Sequence, residues 1–412
     1  MTAAVRPPSG IPSRDGERSP VSPPPFSFED HAELLVEAGR ALRRHDLSGV
    51  HRYPTRYDPL VFAYEPVNLW HSLTGDGAHL FDRTAVPGLY RRMLARGNPA
   101  LADLTTLTIN QAPGSREQWE RLFGPAVVER LAAAGALVGA GGGFRSRLRF
   151  VPVFGRLFVS DSPDQSVPLM VWLGKDTMYL LSAVRKRLQG KRFRRGLEVG
   201  SGTGLLTIAL SDYCDEVIGV DINPRAVALG EVNRRINGVE NVDFRLSDMF
   251  GAVPEPLDLV IGNVPFVYIP PELRGASVHS HGGEDYGIDL QLRVLAELDQ
   301  KLTPDGMGLF LCCSPVVEGV DILPDRMRAR FQSLGLRFEF EPLFNKVMLN
   351  LLDFHDSSGI QYTWTYIVTV RRAPRFELAM RQPTAWTSLV SWAYRSVIRA
   401  AHTVGKRRHA SW

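Results

Sequence analysis

The sequence predicts an α/β chain built on a doubly wound, mostly parallel sheet, preceded by a smaller helical and winged-helix-like N-terminal part. Three observations carry that reading. Short apolar runs alternate with amphipathic stretches from about residue 167 to 372, the pattern of strands separated by crossover helices. A glycine-rich turn, Glu198-Val199-Gly200-Ser201-Gly202-Thr203-Gly204, follows one such run and opens a helix. The next run, Val217-Ile218-Gly219-Val220, closes on an acid, Asp221.

The elements follow in order. Residues 1–27 hold Pro7, Pro8, Pro12, Pro20 and Pro23-Pro24-Pro25 among Ser, Gly and charge, too little apolar surface to order themselves. Residues 28–97 read as helical, with Leu34, Leu35, Ala38 and Leu42 on one face. In 98–163 a helix starts after Ser115, a good N-cap, and carries Trp119, Leu122 and Phe123; a second runs over 125–134 with Val127, Val128 and Leu131. Then come the glycine run 139–143, a strand through Phe144, Leu148 and Phe150, and another through Leu157, Phe158 and Val159. Helix, helix and glycine-linked strands resemble a winged-helix module. It lacks a basic recognition helix, which favours substrate docking or dimerisation over DNA binding.

In 164–372 the strands are placed at 197–199, 216–220, 242–246, 257–261 and 308–313, with 338–340 and 362–370 as a terminal antiparallel pair. The clearest helix spans 224–237: Asn223 caps it, Pro224 suits its first turn and Gly238 ends it. Residues 373–412 form a basic tail in which Trp386, Leu389, Val390, Ala393, Val397, Ala401 and Val404 keep helical spacing. Packing against the body or a second subunit is its first reading, an acidic membrane surface the second and a nucleic-acid backbone the third.

Composition bounds the function. The chain is 44% hydrophobic and 22% charged, with net charge +4. The tail, with seven basic residues against Glu377, carries +6, which leaves −2 for the body. Broad electrostatic capture of nucleic acid by the body is not implied. No run of about eighteen apolar residues predicts a membrane span, and the N-terminus does not read as a secretory signal. Cys214, Cys312 and Cys313 are the three cysteines. The adjacent two point to opposite sheet faces, so core thiols in a reducing cytoplasm are expected, and no metal site.

The glycine turn lets backbone approach a ligand without interference from side chains. Its Gly-x-Gly-x-Gly spacing differs from the Gly-x-Gly-x-x-Gly of dinucleotide enzymes. Asp221 can accept both hydroxyl protons of a ribose; its plain alternative is a charge at a helix N-terminus. Asp258-Leu259-Val260-Ile261-Gly262-Asn263-Val264-Pro265-Phe266 closes the fourth strand. These motifs, in this order, resemble class I S-adenosylmethionine-dependent methyltransferases, and Asn263-Val264-Pro265-Phe266 resembles the Asn-Pro-Pro-Tyr type turn of members that modify nitrogens conjugated to a π system. His281-Gly282-Gly283-Glu284-Asp285-Tyr286-Gly287-Ile288-Asp289 is similar to the Gly-Gly-x-Asp-Gly-Leu-Asp segment of the HemK-like family. The likeness covers about 196–315.

The resemblance implies a Rossmann-like methyltransferase sheet and S-adenosylmethionine as cofactor. It places Glu198 in the network around the cofactor's amino-acid end, with Gly200, Ser201, Gly202, Thr203 and Gly204 as its cradle. Asp221 and Ile222 would meet the ribose, Asp248 the adenine amino group and Met249 the ring face. In the catalytic tetrapeptide, the Asn263 side-chain oxygen and the Val264 carbonyl would each accept one N–H, aiming the nitrogen at the methyl; Asn263 also borders the cofactor. Pro265 stiffens the turn, and Phe266 offers a flat face that stabilises developing positive charge. Orientation and electrostatic fit suffice, because such a nitrogen becomes acidic as it is alkylated. Phe266, Tyr268, His279 and His281 are the substrate-facing candidates in a lid-like loop that includes Pro270 and Pro271. Lys175-Asp176-Thr177 is a further candidate border of the pocket.

Two features differ from family members acting on glutamine amides: Val264 stands where they carry proline, and the N-terminal part is longer. The reading is therefore methyl transfer to a planar amide or amino nitrogen of a protein side chain or small molecule. A second copy of the chain is a candidate partner, and the location is cytoplasmic. The rivals are a nucleobase N-methyltransferase for RNA or DNA, a biosynthetic enzyme with an O or C target, a non-catalytic cofactor sensor and an NAD-dependent dehydrogenase.

Overall fold

The computed structural model describes residues 26–45, 99–109, 111–162, 169–253, 256–269, 281–346, 359–385, 387–389, 391–393 and 395–396. The expected disorder of 1–25, the helical reading of 46–97, His279, Pro270, Pro271, Trp386 and the Lys406-Arg407-Arg408 end lie outside them.

The N-terminal part contains α1 (Ala32–Arg43), α2 (Pro99–Leu104) continued by a π turn (Thr105–Ile109), α3 (Arg116–Phe123) and α4 (Pro125–Ala133). Two hairpins follow: β1 (Leu137–Ala140) with β2 (Gly143–Ser146), and β3 (Leu148–Val153) with β4 (Arg156–Asp161). Leu34, Leu35, Ala38 and Leu42 are buried together on α1, as their spacing requires. Ser115 caps α3 in a full capping box with Gln118, its Oγ accepting the Gln118 N–H at 3.3 Å. The single strand expected through Phe144, Leu148 and Phe150 is two. The Ser146 hydroxyl binds the Leu148 backbone, and the Arg147 N–H turns to the Ala136 carbonyl at 2.8 Å. Strands β2 and β3 therefore pair with different partners.

The larger part alternates α5 (Lys175–Leu188), β5 (Phe193–Val199), α6 (Leu205–Leu210), β6 (Cys214–Asp221), α7 (Pro224–Asn237), β7 (Val242–Leu246), β8 (Leu257–Gly262), α8 (Asp289–Lys301), β9 (Leu302–Val317), β10 (Val320–Asp321), α9 (Ile322–Arg330), β11 (Leu336–Lys346), β12 (Ile360–Arg372) and β13 (Glu377–Met380). The sheet order is β13-β11-β12-β9-β8-β5-β6-β7, with β10 paired to β9. Strands β5 to β9 run parallel, and β12 lies antiparallel between β9 and β11, as the terminal pair predicts. The order reverses between β5 and β8, so a ligand crevice is expected outside their carboxyl ends. The glycine turn and the Asn263 turn occupy that place.

Asn223 caps α7, accepting the Arg225 N–H at 2.9 Å, and Gly238 ends it at φ 64°. Two apolar clusters fill the faces of the sheet. Cys313 belongs to the one shared with the N-terminal helices and Cys312 to the other, the alternation their adjacency demands. All three cysteines are buried. The first cluster runs unbroken from Phe28 and Leu35 to Leu229 and Ile236, so the N-terminal helices bury their apolar stripes on the face of the sheet that carries α7. A bidentate ion pair reinforces the seam: Arg225 of α7 meets Asp161 of β4, itself almost fully buried, and lies 4.1 Å over the Phe28 ring. No helix among the described residues is long and apolar enough to cross a membrane.

Candidate active site

The glycine turn lies at the carboxyl end of β5, where Gly200, Gly202 and Gly204 all adopt positive φ (75°, 50° and 74°), a region costly for any other residue. The turn is tied down by its own sheet: the Gly200 and Ser201 N–H groups both donate to the Val220 carbonyl at 2.9 Å. Gly204 also packs where a Cβ would lie 2.6 Å from the Phe244 ring. Open space surrounds the Cβ position of Gly202.

Two carboxylates organise the turn. Asp221, ending β6, accepts the Gly202 N–H at 2.8 Å on one oxygen and the Asn223 N–H at 2.9 Å on the other. Burial raises its pKa, and the backbone donors work against that. With the Ile222 N–H also acting on it, the carboxylate keeps acceptor capacity for a ribose hydroxyl. Glu198 is buried, and its Oε2 accepts both the N–H (2.6 Å) and the hydroxyl of Thr207. Burial pushes its carboxyl up to about 8 in spite of those two bonds.

Beyond Asp221 the surface is apolar. Ile222 is 71% exposed and Leu246 59% exposed at the carboxyl ends of adjacent strands, a shelf that a flat ring would cover. Met249 adopts φ 47°, in a loop stapled by the Ser247 hydroxyl to the Met249 carbonyl and the Ala252 N–H. Asp248 is exposed, with Arg293 at 3.5 Å. Leu169, which the sequence did not single out, also faces outward, and its carbonyl accepts the Asn223 side chain at 3.0 Å.

The Asn263 turn leaves β8 next door. A Cβ on Gly200 would contact Val264 Cγ1 at 3.9 Å, so the glycine turn and the tetrapeptide abut. Asn263 donates its Nδ2 to Thr177 Oγ1 at 3.4 Å, and its Oδ1 is buried without a partner. Val264 is buried, and Phe266 is partly buried against the first cluster. The Thr177 contact gives the Lys175-Asp176-Thr177 segment its place, at the start of α5.

The segment that starts at His281 presses on this turn. The Gly282 N–H donates to the Val267 carbonyl at 3.0 Å, and a Cβ on Gly282 would fall 2.7 Å from Phe266 Cα. Asp285 and Tyr286 both take left-handed backbone, at φ 48° and 60°, a cost of order 1–3 kcal/mol each. Arg326 and Arg330 of α9 hold Asp285 there with ion pairs of 3.0 and 2.8 Å. The Tyr286 and Tyr268 rings lie 6.5 Å apart. His281 bridges to Val267, and its Nδ1 is buried without a partner. Behind the turn, Gln291 of α8 exchanges two 2.8 Å hydrogen bonds with the Cys313 backbone, replacing β8 where that strand peels away. Neither Gln291 nor the Asp285 clamp was anticipated. Gln291 had a signal: a polar residue in the same helical row as Leu295 and Leu298.

A family model, the methyltransferase small domain, matches residues 173–269. A putative protein N5-glutamine methyltransferase of Methanocaldococcus jannaschii is 33% identical over 144 residues, 33% of this chain and 68% of that protein. The chain belongs to the HemK-like class I S-adenosylmethionine-dependent methyltransferases. Other relatives match over less of their length. The ribosomal protein uL3 glutamine methyltransferase of Xanthomonas campestris is 32% identical over 30% of this chain and 43% of its own. The release factor glutamine methyltransferase of Deinococcus radiodurans is 30% identical over 33% and 51%. The chain thus spans about half the length of those two bacterial relatives.

As a HemK-like methyltransferase, the protein takes S-adenosylmethionine as its cofactor, and the residues present fit it. Ser201 Oγ is a buried polar atom without a partner in the cradle, Asp221 keeps acceptor capacity, and the Ile222–Leu246 shelf offers apolar area. Bound there, the cofactor supplies an electrophilic sulfonium methyl.

Proposed function

We propose that this methyltransferase transfers the methyl group to a side-chain amide nitrogen of a protein. The observation that carries the reading is Asn263 Oδ1, a buried acceptor with no partner beside the cofactor cradle. Leaving such an atom unsatisfied costs about 1–3 kcal/mol, which an incoming N–H relieves. Thr177 Oγ1 engages the Nδ2 end of the amide and leaves the oxygen as the end to be satisfied. An amide NH2 offers two hydrogens; Asn263 Oδ1 takes one and the Val264 carbonyl the second. Held so, the nitrogen turns one face of its amide plane, where the delocalised lone pair lies, to the methyl group. Phe266 closes one side, and its π face steadies the charge that appears on nitrogen. The proton lost from the alkylated nitrogen needs no strong base. The names of the relatives above, glutamine methyltransferases by description, agree with this acceptor.

The test is incubation of the full chain with cell extract and cofactor carrying a labelled methyl, followed by fractionation. Label should enter protein and leave it as methylamine on acid hydrolysis, since an N-methylamide yields that amine. Label confined to nucleic acid or metabolites, or retained on protein through hydrolysis, would overturn the reading.

A further inference from the structure

Two asparagines one helical turn apart on α7 serve β4 as a neighbouring strand would. Asn237 accepts the Leu157 N–H at 2.9 Å and donates to the Leu157 carbonyl at 2.8 Å. Asn233 does the same for Val159, at 2.7 and 2.9 Å. The match is geometric: four helical residues and two strand residues both advance by about 6–7 Å. Both residues dock the β3–β4 hairpin on the methyltransferase sheet.

Asn233 does one thing more. Its Nδ2 also donates, at 2.9 Å, to the carbonyl of Thr203 inside the glycine turn. The side chain is fully buried, and both amide hydrogens are used. Beyond the turn, Arg156 at the start of β4 binds the far end of α6 through the Ile208 carbonyl (2.5 Å), Ser211 Oγ (3.2 Å) and Asp212 (2.7 Å). The hairpin therefore grips the unit of turn and helix at both ends.

We infer that Asn233 is a positioning residue for the cofactor: through it, β4 fixes the Thr203 carbonyl and with it the curvature of the glycine turn. The inference rests on the cofactor of the family and is independent of which acceptor is methylated. Its structural rival is a simple docking staple, the role Asn237 has alone. The two residues therefore make a matched pair of variants.

In the full-length protein, Asn233→Ala and Asn237→Ala should both lower Tm, because each removes the same two bonds to β4. Calorimetric titration with S-adenosylmethionine separates them. Asn237→Ala should bind within about two-fold of wild type, and Asn233→Ala about ten-fold more weakly, the worth of one buried hydrogen bond at the upper end of its range. Equal affinities in the two variants would overturn the inference. Should Asn233→Ala fail to fold, Asn233→Ser, whose hydroxyl is too short to span strand and turn, enters the same comparison. Coupling is reciprocal, so adding cofactor to wild type should slow hydrogen exchange at the Val159 amide. An unchanged rate there would equally refute the link.

Discussion

The two halves of the carboxyl edge are built on opposite principles. On the cofactor side, the backbone of the turn after β5 is tied to the sheet before anything binds: Val220 takes two of its N–H groups, Asp221 a third and Asn233 one of its carbonyls, which leaves one buried side-chain atom, Ser201 Oγ, open. On the acceptor side, the turn after β8 keeps two buried atoms open, Asn263 Oδ1 and His281 Nδ1. A backbone cradle that is already satisfied binds by shape and preorganisation. Unsatisfied buried groups bind by what the ligand brings, and they reject an acceptor lacking the right hydrogens. The cofactor side therefore relies on a backbone shaped in advance, with Asp221 and Ser201 added to it, and the acceptor side on side chains left open.

The sharpest way to break that contrast is Asn263→Ala. If the open oxygen acts on the reacting nitrogen, turnover should fall by about 10²–10³, the usual effect of deleting one group that holds the transition state. Affinity for S-adenosylmethionine should hardly move, because the cradle is complete without Asn263. Single-turnover rates and calorimetry on the same preparation check both halves. A comparable loss in both would merge the two sites into one.

The converse substitution is Asp221→Ala. It removes the acceptor for Gly202 N–H and Asn223 N–H as well as for the ribose, so cofactor affinity should weaken by roughly 10–100-fold, the range for bonds to a charged group. Turnover at saturating cofactor should change far less. Unaltered affinity would remove Asp221 from the binding site.

The same contrast decides what was legible in the sequence. Caps and turns are local, so Ser115, Asn223 and Gly238 announce their helix ends, and the glycine spacing with its flanking acids announces the cradle. The sheet strands were legible too, because burial on both faces makes them near-continuous apolar runs. The contacts that a polar side chain makes across the fold were not. Asn233 sits in the buried row of α7 with Ala226, Leu229 and Ile236, and only the position of β4 shows what it binds. Gln291 repeats the case on α8. The left-handed pair Asp285-Tyr286 was hidden for another reason: its support, Arg326 and Arg330, is about forty residues away. Local preference is overridden there by a distant ion pair.

Glu198 sharpens the cofactor side through pH. Its carboxyl is raised to about 8 by burial, against roughly 4.3 in an unfolded chain. Between those values the folded protein holds the extra proton, so the contribution of this group to stability falls as pH rises through the window and levels off above it. Glu198→Gln should remove that slope: its Tm should lie above wild type at pH 8 and approach it near pH 5. Cofactor affinity should weaken about three- to ten-fold, as for one lost hydrogen bond. A variant whose Tm tracks wild type across the range would show that Glu198 titrates as an ordinary carboxylate.

The smallest effect is expected from the tail, which belongs to neither half. The described residues of the tail between 384 and 396 meet the body at the far end of the sheet: Ser391 Oγ accepts the Asn345 N–H at 3.0 Å, and Arg395 lies 4.4 Å over the Tyr362 ring. These contacts secure β11 and the start of β12, on the opposite side of β9 from β5 and β6. Strands β5, β6 and β8, which carry the cradle and the Asn263 turn, make no hydrogen-bonded pair with β11 or β12. Deleting 384–412 should therefore lower Tm, since it exposes the side of the sheet that Thr387 and Ser391 now cover, while cofactor affinity stays within about two-fold, less than the worth of one hydrogen bond. Trp392 and Leu389, 62% and 54% exposed, leave with the tail at little cost, because their apolar area is already in water. A large loss of cofactor binding on truncation would mean that strain passes through β12 and β9 to β8, and the two halves of the carboxyl edge would then no longer be separable.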